Sequence, residues 1–408
     1  MPALNPRSIV IVGGCGHVGL PLGLVLADRT KAHVTLLDVD ATKVDLVNRG
    51  KMPFMERGAE ALLQRVAGQS LHATTDTACL RDAQIVITVI GTPVDRHLNP
   101  TLKDLHKNID EVVSRMADQS LLILRSTVYP GVTHLVQQRI KKLRAKVHLA
   151  FCPERIAEGN AIEELTALPQ IVSAFEPEAE AAAAALFRQI APSVIILSPP
   201  EAELAKLFSN AWRYLNFAIS NQFYILAESR GLDFYRIHEA ATQNYPRMRN
   251  FAKAGFSAGP CLLKDTLQLS AFSRNNFFLG HAAMLINEGM PNFIVEQLRA
   301  SCDLANSRVA ILGMAFKGDS DDGRDSLAYK LRTLLEVEAA QVLCTDPFIA
   351  DPAFTSLEDA VQKANVIVLG APHSAYKSLK FGPDKFVVDF WNFWPARKRR
   401  AESWLAAG

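Results

Sequence analysis

The chain has 408 residues, of which 49% are hydrophobic and 21% charged, with a formal net charge of +2 at pH 7. That length exceeds what one hydrophobic core usually serves, so two or three domains are expected, and the composition excludes global disorder. The small net charge gives no reason to expect nucleic acid or an anionic membrane as partner, and no run of about 18 apolar residues reads as a membrane span. Cysteines at 15, 79, 152, 261, 302 and 344 form no CxxC pair and no even ladder. A disulfide framework and a structural zinc site are therefore not expected, and a reducing cytoplasm fits. Met1-Pro-Ala-Leu-Asn-Pro-Arg leads straight into a strand, so no signal peptide is expected. Arg397-Lys398-Arg399-Arg400 reads as solvated surface charge.

Residues 8–12 (SIVIV) predict a buried strand, 18–28 an apolar helix, and 34–37 a second strand ending at Asp38. Between the first strand and the helix stands Gly14-Cys15-Gly16-His17-Val18-Gly19, a GxGxxG in the context that a dinucleotide fingerprint requires. Its glycines permit a tight turn and close approach of backbone to a pyrophosphate at a helix N-terminus. Asp38 suits a ribose 2′-hydroxyl and repels a 2′-phosphate, which favours NAD over NADP. Strands at 85–90, 121–124, 147–151 and 170–174 continue the series. Their alternation with helices predicts a parallel sheet covered on both faces. Cys152-Pro153-Glu154-Arg155-Ile156-Ala157-Glu158-Gly159 then puts two carboxylates at a strand's C-terminal end, where ligands of open α/β sheets bind.

Glu201 to about Arg230 has apolar residues at helical spacing and no glycine or proline. It predicts one helix of about 45 Å, stopped by Gly231. Lys206 and Asn210 share a face of it, either as a solvated patch or as a pair able to hold a water or an oxyanion. Helical sequence continues to about 300 and contains Gly259-Pro260-Cys261-Leu262-Leu263-Lys264-Asp265. A cysteine between such neighbours reads either as a buried small hydrophobe or as a tuned nucleophile. From 308 the α/β pattern returns, with strands at 308–312, 341–344, 366–369 and 386–388. Phe316-Lys317-Gly318 and Asp321-Asp322-Gly323-Arg324-Asp325-Ser326 follow the first of these, and their cations suit a phosphate or carboxylate. CLRDAQIVITVIG (79–91) is weakly echoed by LEDAVQKANVIVLG (357–370).

These blocks occur together and in order: the fingerprint at 14–19, Gly91-Thr92-Pro93, Ser126-Thr127-Val128, Pro153-Glu154 through Glu158-Gly159, Lys206 with Asn210, Cys261 with Lys264-Asp265, and FKG with DDxRxS at 316–326. In that combination the chain resembles the UDP-glucose/GDP-mannose dehydrogenase family over almost its whole length. The resemblance implies an α/β fold of two Rossmann-like, doubly wound parallel-sheet domains joined by a long central helix and a helical dimerisation region. Residues 1–198 would bind NAD, 199–300 would carry the dimer contact with the catalytic lysine, asparagine and cysteine, and 301–408 would bind the nucleotide sugar. It implies a UDP-sugar substrate, a homodimer or higher homo-oligomer, no metal, no nucleic acid and no membrane.

The implied reaction oxidises a C6 alcohol to a carboxylate in two steps. Cys261 attacks the intermediate aldehyde, and the resulting thiohemiacetal is oxidised to a thioester and hydrolysed. Lys206 and Asn210 would stabilise oxyanions, and Asp265 would activate water with support from Thr127 and Glu154. Cofactor contacts are implied at Gly14, Gly16, His17, Val18, Gly19, Asp38, Lys43, Thr92, Ser126, Thr127, Glu158, Lys264 and Arg324. Substrate contacts are implied at Glu154, Arg155, Glu158, Lys206, Asn210, Phe316 and Lys317, and at Arg247 or Arg249. The chain departs from the family pattern at Ala258, Pro260, Gln222 and Trp391, of which Pro260 restricts the backbone beside the nucleophile. Tyr129-Pro130-Gly131, Pro153-Glu154-Arg155, Tyr245-Pro246-Arg247 and Pro372-His373 resemble enzymes that oxidise UDP-N-acetylhexosamines, whereas Cys261-Leu-Leu-Lys-Asp resembles the UDP-glucose and GDP-mannose branches. A two-electron hydroxy-acid dehydrogenase would share the fingerprint and central helix but has no use for Cys261. A non-catalytic nucleotide-binding scaffold has no use for Lys206, Asn210 and Asp265 either.

Overall fold

The structure, a computed structural model, describes residues 6–90, 102–257 and 259–394. Two compact units emerge, Met1–Ser209 and Asn210–Gly408. The first unit runs β1 (Ser8–Val12), α1 (Gly19–Arg29), β2 (His33–Leu37), α2 (Ala41–Asn48), α3 (Ala59–Val66), β3 (Leu71–Thr74), β4 (Ile85–Thr88), α4 (Leu102–Val113), β5 (Leu121–Leu124), α5 (Val132–Lys142), β6 (His148–Phe151), α6 (Ala161–Ala167), β7 (Gln170–Ala174), α7 (Pro177–Phe187) and β8 (Val194–Ile196). The sheet order is β3-β2-β1-β4-β5-β6-β7-β8.

Helices cover both faces of this sheet, so its strands are apolar at successive positions instead of alternating with polar residues. Ile9, Ile11, Ile85, Ile87, Leu121 and Ile123 join the side chains of α1 and α3 in one cluster. Val10, Val12, Val86, Leu122 and Leu124 join Ile109 and Val112 of α4 and Val132 and Val136 of α5 in the other. Strands β1 to β6 are parallel as the alternation predicts. The expectation needs correction at β7, which runs antiparallel to β6 with Ala150 opposite Ala174 and Phe151 opposite Ser173. The connecting helix α6 has only seven residues and packs on α1. It does not carry the chain back along β6, so β7 starts at the end where β6 stops.

Helix α8 (Pro199–Glu228) is a single helix of 30 residues, and the division between the units falls within it. Pro199 and Pro200 suit its first turn, where no amide donor is needed. The second unit continues with α9 (Phe234–Thr242), α10 (Leu262–Phe272), α11 (Phe278–Ser301), β9 (Arg308–Leu312), α12 (Leu327–Glu338), β10 (Gln341–Thr345), α13 (Leu357–Lys363), β11 (Val366–Leu369) and β12 (Phe386–Val388). Its sheet is parallel throughout, in the order β10-β9-β11-β12. The sequence echo has a structural counterpart: β4 flanks β1 as β11 flanks β9, each on the side away from the second strand of its sheet.

A buried amide ladder fixes the segment that leads to Cys261. Gly255 N–H donates to Asn221 Oδ1 of α8 (2.9 Å), Asn221 Nδ2 to Asn287 Oδ1 of α11 (2.9 Å), and Asn287 Nδ2 to the Tyr214 carbonyl (3.0 Å). Both asparagines are fully buried, and a buried donor or acceptor left unpaired costs about 1–3 kcal/mol. Asn221→Ala strands the Gly255 amide and Asn287 Oδ1 together. We expect it to lower stability by about 2–3 kcal/mol, read as a fall in the urea midpoint at unchanged slope; an unchanged midpoint would contradict the ladder's role.

Candidate active site

The dinucleotide turn is built by packing that only glycine satisfies. Gly13 and Gly14 N–H both donate to the Leu37 carbonyl at the end of β2, at 2.9 and 3.1 Å. A Cβ on Gly14 would lie 2.7 Å from the Ile11 carbonyl oxygen and from Leu36 Cα, and one on Gly19 would lie 2.5 Å from the Gly13 oxygen. A Cβ on Gly16 would meet nothing closer than 3.7 Å. Two of the glycines thus serve the strand–helix contact, and the third leaves open space for a ligand. Helix α1 starts at Gly19 with no side-chain cap and no acid in its first turn, which suits a pyrophosphate. Asp38 accepts from Cys15 N–H at 2.9 Å and from Asp40 N–H at 3.1 Å. A cavity of about 410 Å³ beside the turn is lined by Gly13, Asp38, Val39, Thr77, Leu80 and Ile90, among others. Val39 there is 99% exposed, so the cavity edge has an apolar side chain without cover. These residues fit the adenosine half of NAD. Lys43 stands in the first turn of α2, 3.8 Å from Asp40.

The loops after β5 and β6 are held by buried carboxylates. Ser126 Oγ donates to the Ile90 carbonyl at 2.6 Å, and Thr127 follows it, partly buried. Glu154 is buried with both oxygens engaged. Oε2 accepts from the fully buried Arg125, and Oε1 accepts from the Arg155 and Ile156 amides at 2.7 and 3.0 Å. Arg125 also donates to Gln170 Oε1 (2.9 Å) and the Cys152 carbonyl (3.2 Å), and its guanidinium lies 4.7 Å from the Phe187 ring centroid. The Arg155 guanidinium donates to the Pro169 carbonyl. Glu158 lies 3.3 Å from His17 of the dinucleotide turn, and His17 packs on Phe54. Glu56 holds the same loop by accepting from Gly159 and Ala161 N–H, both at 2.8 Å. Neither Arg125 nor Glu56 carries a local sequence signal of this role. Thr92 lies outside the described residues.

In the second unit Cys261 is the N-cap residue of α10. Of the six cysteines it alone is exposed. Burial pushes the thiols of Cys15 and Cys152 up to about 12 and those of Cys79 and Cys344 up to about 11. Pro260 directly precedes the N-cap, where a fixed φ and a missing donor cost the helix no intrahelical bond. One turn on, Asp265 is fully buried, accepts from Asn210 Nδ2 of α8 at 2.6 Å, and has its other oxygen 3.7 Å from Lys264 Nζ. Asn210 and Asp265 are thus brought together as one cluster. Lys206, one turn before Asn210 on α8, is itself buried.

Gly259 has φ +104°, and a Cβ there would sit 2.7 Å from the Phe316 ring, so the cysteine loop lies directly against the Phe316-Lys317-Gly318 turn. That turn is pinned by a buried pair, with His373 Nε2 3.1 Å from Asp346 Oδ2 and Asp319 N–H donating to His373 Nδ1 at 2.9 Å. Asp346 also accepts from the Met314 and Ala315 amides. Burial alone would raise its pKa, but the bonds from His373 and from the Phe348 and Met314 amides outweigh burial, and the net shift is downward. Lys317 Nζ lies 5.6 Å from the Phe316 ring centroid. Arg324 forms a two-point pair with Asp322. Arg247 and Arg249 are both exposed, and Arg247 lies over Tyr245. Trp391 donates to the Leu369 carbonyl at 3.0 Å and fills the space where Gly255 would carry a Cβ.

The turn, the cavity and the sheet order define the first unit as a Rossmann-like dinucleotide-binding fold. Three models of the UDP-glucose/GDP-mannose dehydrogenase family match in chain order: the NAD binding domain over 7–191, the central domain over 200–288 and the UDP binding domain over 310–396. The chain is 28% identical over 384 residues to a UDP-N-acetyl-D-mannosamine dehydrogenase of Pyrococcus horikoshii, covering 91% of each. It superposes on the solved structure of a UDP-D-ManNAc dehydrogenase from Pyrococcus horikoshii with TM-score 0.84, at 28% identity and 91% coverage of each chain. It superposes on a UDP-glucose dehydrogenase from Pyrobaculum islandicum with TM-score 0.86, at 25% identity and 94% coverage of each. The chain belongs to the UDP-glucose/GDP-mannose dehydrogenase family and is an NAD-dependent oxidoreductase acting on a CH–OH group of a nucleotide sugar. Among the described residues no helix is long and apolar enough to cross a membrane.

The two roles of the glycines predict separable effects. Gly16→Ala should weaken NAD binding by about tenfold or more, since a methyl group intrudes where the ligand backbone contact forms, and should leave the melting temperature unchanged. Gly14→Ala should lower the melting temperature itself. Calorimetric NAD titration and thermal melts of both variants check this; equal melting behaviour for the two would contradict it.

Proposed function

We propose that this enzyme oxidises C6 of a UDP-N-acetylhexosamine from alcohol to carboxylate in two steps, with Cys261 as covalent nucleophile. The observation that carries this reading is Cys261 itself: the single exposed thiol, at a helix N-terminus, one turn from a buried Asp265 held by Asn210. NAD, when bound, would supply the hydride acceptor, and two NAD molecules would be used in succession per sugar. The Cys261 thiolate adds to the C6 aldehyde, and Lys206 and Asn210 stabilise the oxyanion formed at C6. Loss of hydride from that thiohemiacetal gives a thioester. Asp265 takes a proton from water as the water attacks the thioester carbon, and the C–S bond breaks to return the thiolate. The covalent bond keeps the aldehyde from leaving between the two oxidations. Thr127 and Glu154 support the placement of that water, Glu154 by holding the loop after β6 through the Arg155 and Ile156 amides. In balance, one alcohol, two NAD and one water give one carboxylate, two NADH and three protons.

The domain roles follow the same reading. Residues 1–198 bind the cofactor, 199–300 supply the catalytic groups and the dimer contact, and 301–408 receive the UDP-sugar through Phe316 and Lys317. The choice of an N-acetylhexosamine is supported by Tyr129-Pro130-Gly131, Tyr245-Pro246-Arg247 and Pro372-His373, and by relatives named as UDP-N-acetyl-D-mannosamine dehydrogenases. Six cysteines that form no disulfide support a reducing cytoplasm. A homodimer is supported by an apolar stripe on α8, where Phe208, Trp212, Ile219, Phe223 and Leu226 are all exposed, Trp212 at 65%. Such a stripe on one helix marks an association surface.

Incubation with UDP-N-acetylmannosamine, UDP-N-acetylglucosamine, UDP-N-acetylgalactosamine and UDP-glucose should yield two NADH per sugar consumed with at least one acetylated sugar. Cys261→Ser should lose full turnover, by about a thousandfold or more. One NADH per sugar together with an active Cys261→Ser enzyme would point to a two-electron dehydrogenase instead. Sedimentation should give twice the protomer mass for the native chain and a single protomer mass for Trp212→Glu; a native monomer would refute the dimer.

A further inference from the structure

We infer that Glu203 is a positioning residue that locks the cofactor-side turn at Ser126-Thr127 to the helix carrying Lys206; the inference rests on the reaction proposed above. Glu203 lies in the first part of α8 and is only 1% exposed. A buried carboxylate is costly unless its oxygens are fully engaged. Here the partners are three uncharged donors, all from the start of α5. Oε2 accepts from Gly131 N–H at 2.6 Å, and Oε1 accepts from Thr133 N–H at 2.8 Å and Thr133 Oγ at 2.6 Å. Gly131 is the N-cap residue of α5 with φ +96° and offers no side chain for capping. Glu203 therefore caps α5 from a residue 70 positions away, with its negative charge at the positive end of the helix dipole.

The consequence is geometric. Glu203 and Lys206 are three apart and share a face of α8, so the clamp fixes the rotation of α8 that sets where the Lys206 amine points. On the other side, Gly131 and Thr133 directly follow the turn that carries Ser126 and Thr127. One side chain thus sets the spacing between the lysine and the turn, two groups that the proposed reaction needs in register. A carboxylate is required because every donor is an N–H or O–H. The amide of Gln, at the same size, replaces one acceptor by a donor facing a donor.

The test compares full-length wild type with Glu203→Gln, Thr133→Val and Thr133→Ser. For Glu203→Gln, kcat should fall about tenfold or more while KM for NAD and for the UDP-sugar stays within about threefold, the pattern of misplaced but still bound reactants. Amide exchange at Gly131 and Thr133 should accelerate. Thr133→Val should reduce kcat about threefold and Thr133→Ser should restore it, since the serine hydroxyl keeps the bond. A folded Glu203→Gln enzyme with kcat within about twofold of wild type overturns the inference, as does a rise in KM for NAD at unchanged kcat. If Glu203→Gln does not fold, the Thr133 pair decides, and equal kcat for valine and serine overturns it. A wild type inactive on every UDP-sugar refutes the proposed reaction, not the clamp, which amide exchange still reads.

Discussion

Backbone N–H groups donating to buried carboxylates hold nearly every loop on which chemistry depends here. Glu154 accepts from the Arg155 and Ile156 amides, Glu56 from Gly159 and Ala161, Glu203 from Gly131 and Thr133, and Asp346 from Met314 and Ala315. Loops at strand ends leave amides without ladder partners, and a buried amide without a partner is expensive. A carboxylate answers two such amides at once, which a hydroxyl or a single carbonyl does less well. Removing one of these acids therefore frees two donors and a stretch of chain together. Of these acids, Glu154 also has the buried Arg125 against it.

The parallel sheet explains why the loops need such treatment at one edge. In a doubly wound sheet the functional loops gather at the C-terminal ends of the strands, and β1, β2, β4, β5 and β6 contribute the glycine turn, Asp38, Ile90, Ser126-Thr127 and the Glu154–Glu158 stretch respectively. The second unit repeats the scheme. Its first strand, β9, is followed by the Phe316-Lys317-Gly318 turn, and Asp346 follows the next strand, β10, as Asp38 follows β2. Both aspartates accept amides from the turn beside them, Cys15 for Asp38 and Met314 with Ala315 for Asp346. One of these turns lies in the stretch that matches the family's NAD binding domain and the other in the stretch that matches its UDP binding domain.

What the sequence reveals depends on how far apart the cooperating residues are. The glycine turn is legible because its constraint is the spacing itself: Gly14 and Gly19 are forced by contacts with Ile11, Leu36 and Gly13, all within one strand–helix unit and its neighbour. Both buried sheets and the long α8 are legible from continuous apolar runs and helical spacing. The short edge strands β3 and β8 are not, since Leu71–Thr74 and Val194–Ile196 are too brief to show a period. Arg125, Glu56 and Glu203 are hidden for a different reason. Charged residues are expected at the surface, and the partners that make their burial tolerable lie 29, 105 and 70 residues away. Nothing local separates Glu154, with both oxygens occupied by loop and arginine, from an exposed loop acid.

Cys261 shows the same distinction in its chemistry. Its neighbours in sequence do not separate a nucleophile from a small core residue, and the other cysteines of the chain occupy the core or its margins. The fold sets Cys261 apart from the others by burial: the thiols of Cys15 and Cys152 are shut away from water and pushed up, while Cys261 stands exposed at the start of α10. Gly259 and Pro260 produce that exposure together. The glycine takes a left-handed conformation against Phe316, and the proline then fixes the backbone that delivers the cysteine to the N-cap. A side chain at 259 would collide with the Phe316 ring. The conformation that presents the thiol is thereby the one that seats Phe316, and in the proposed reaction nucleophile and substrate contact are set by one turn of chain.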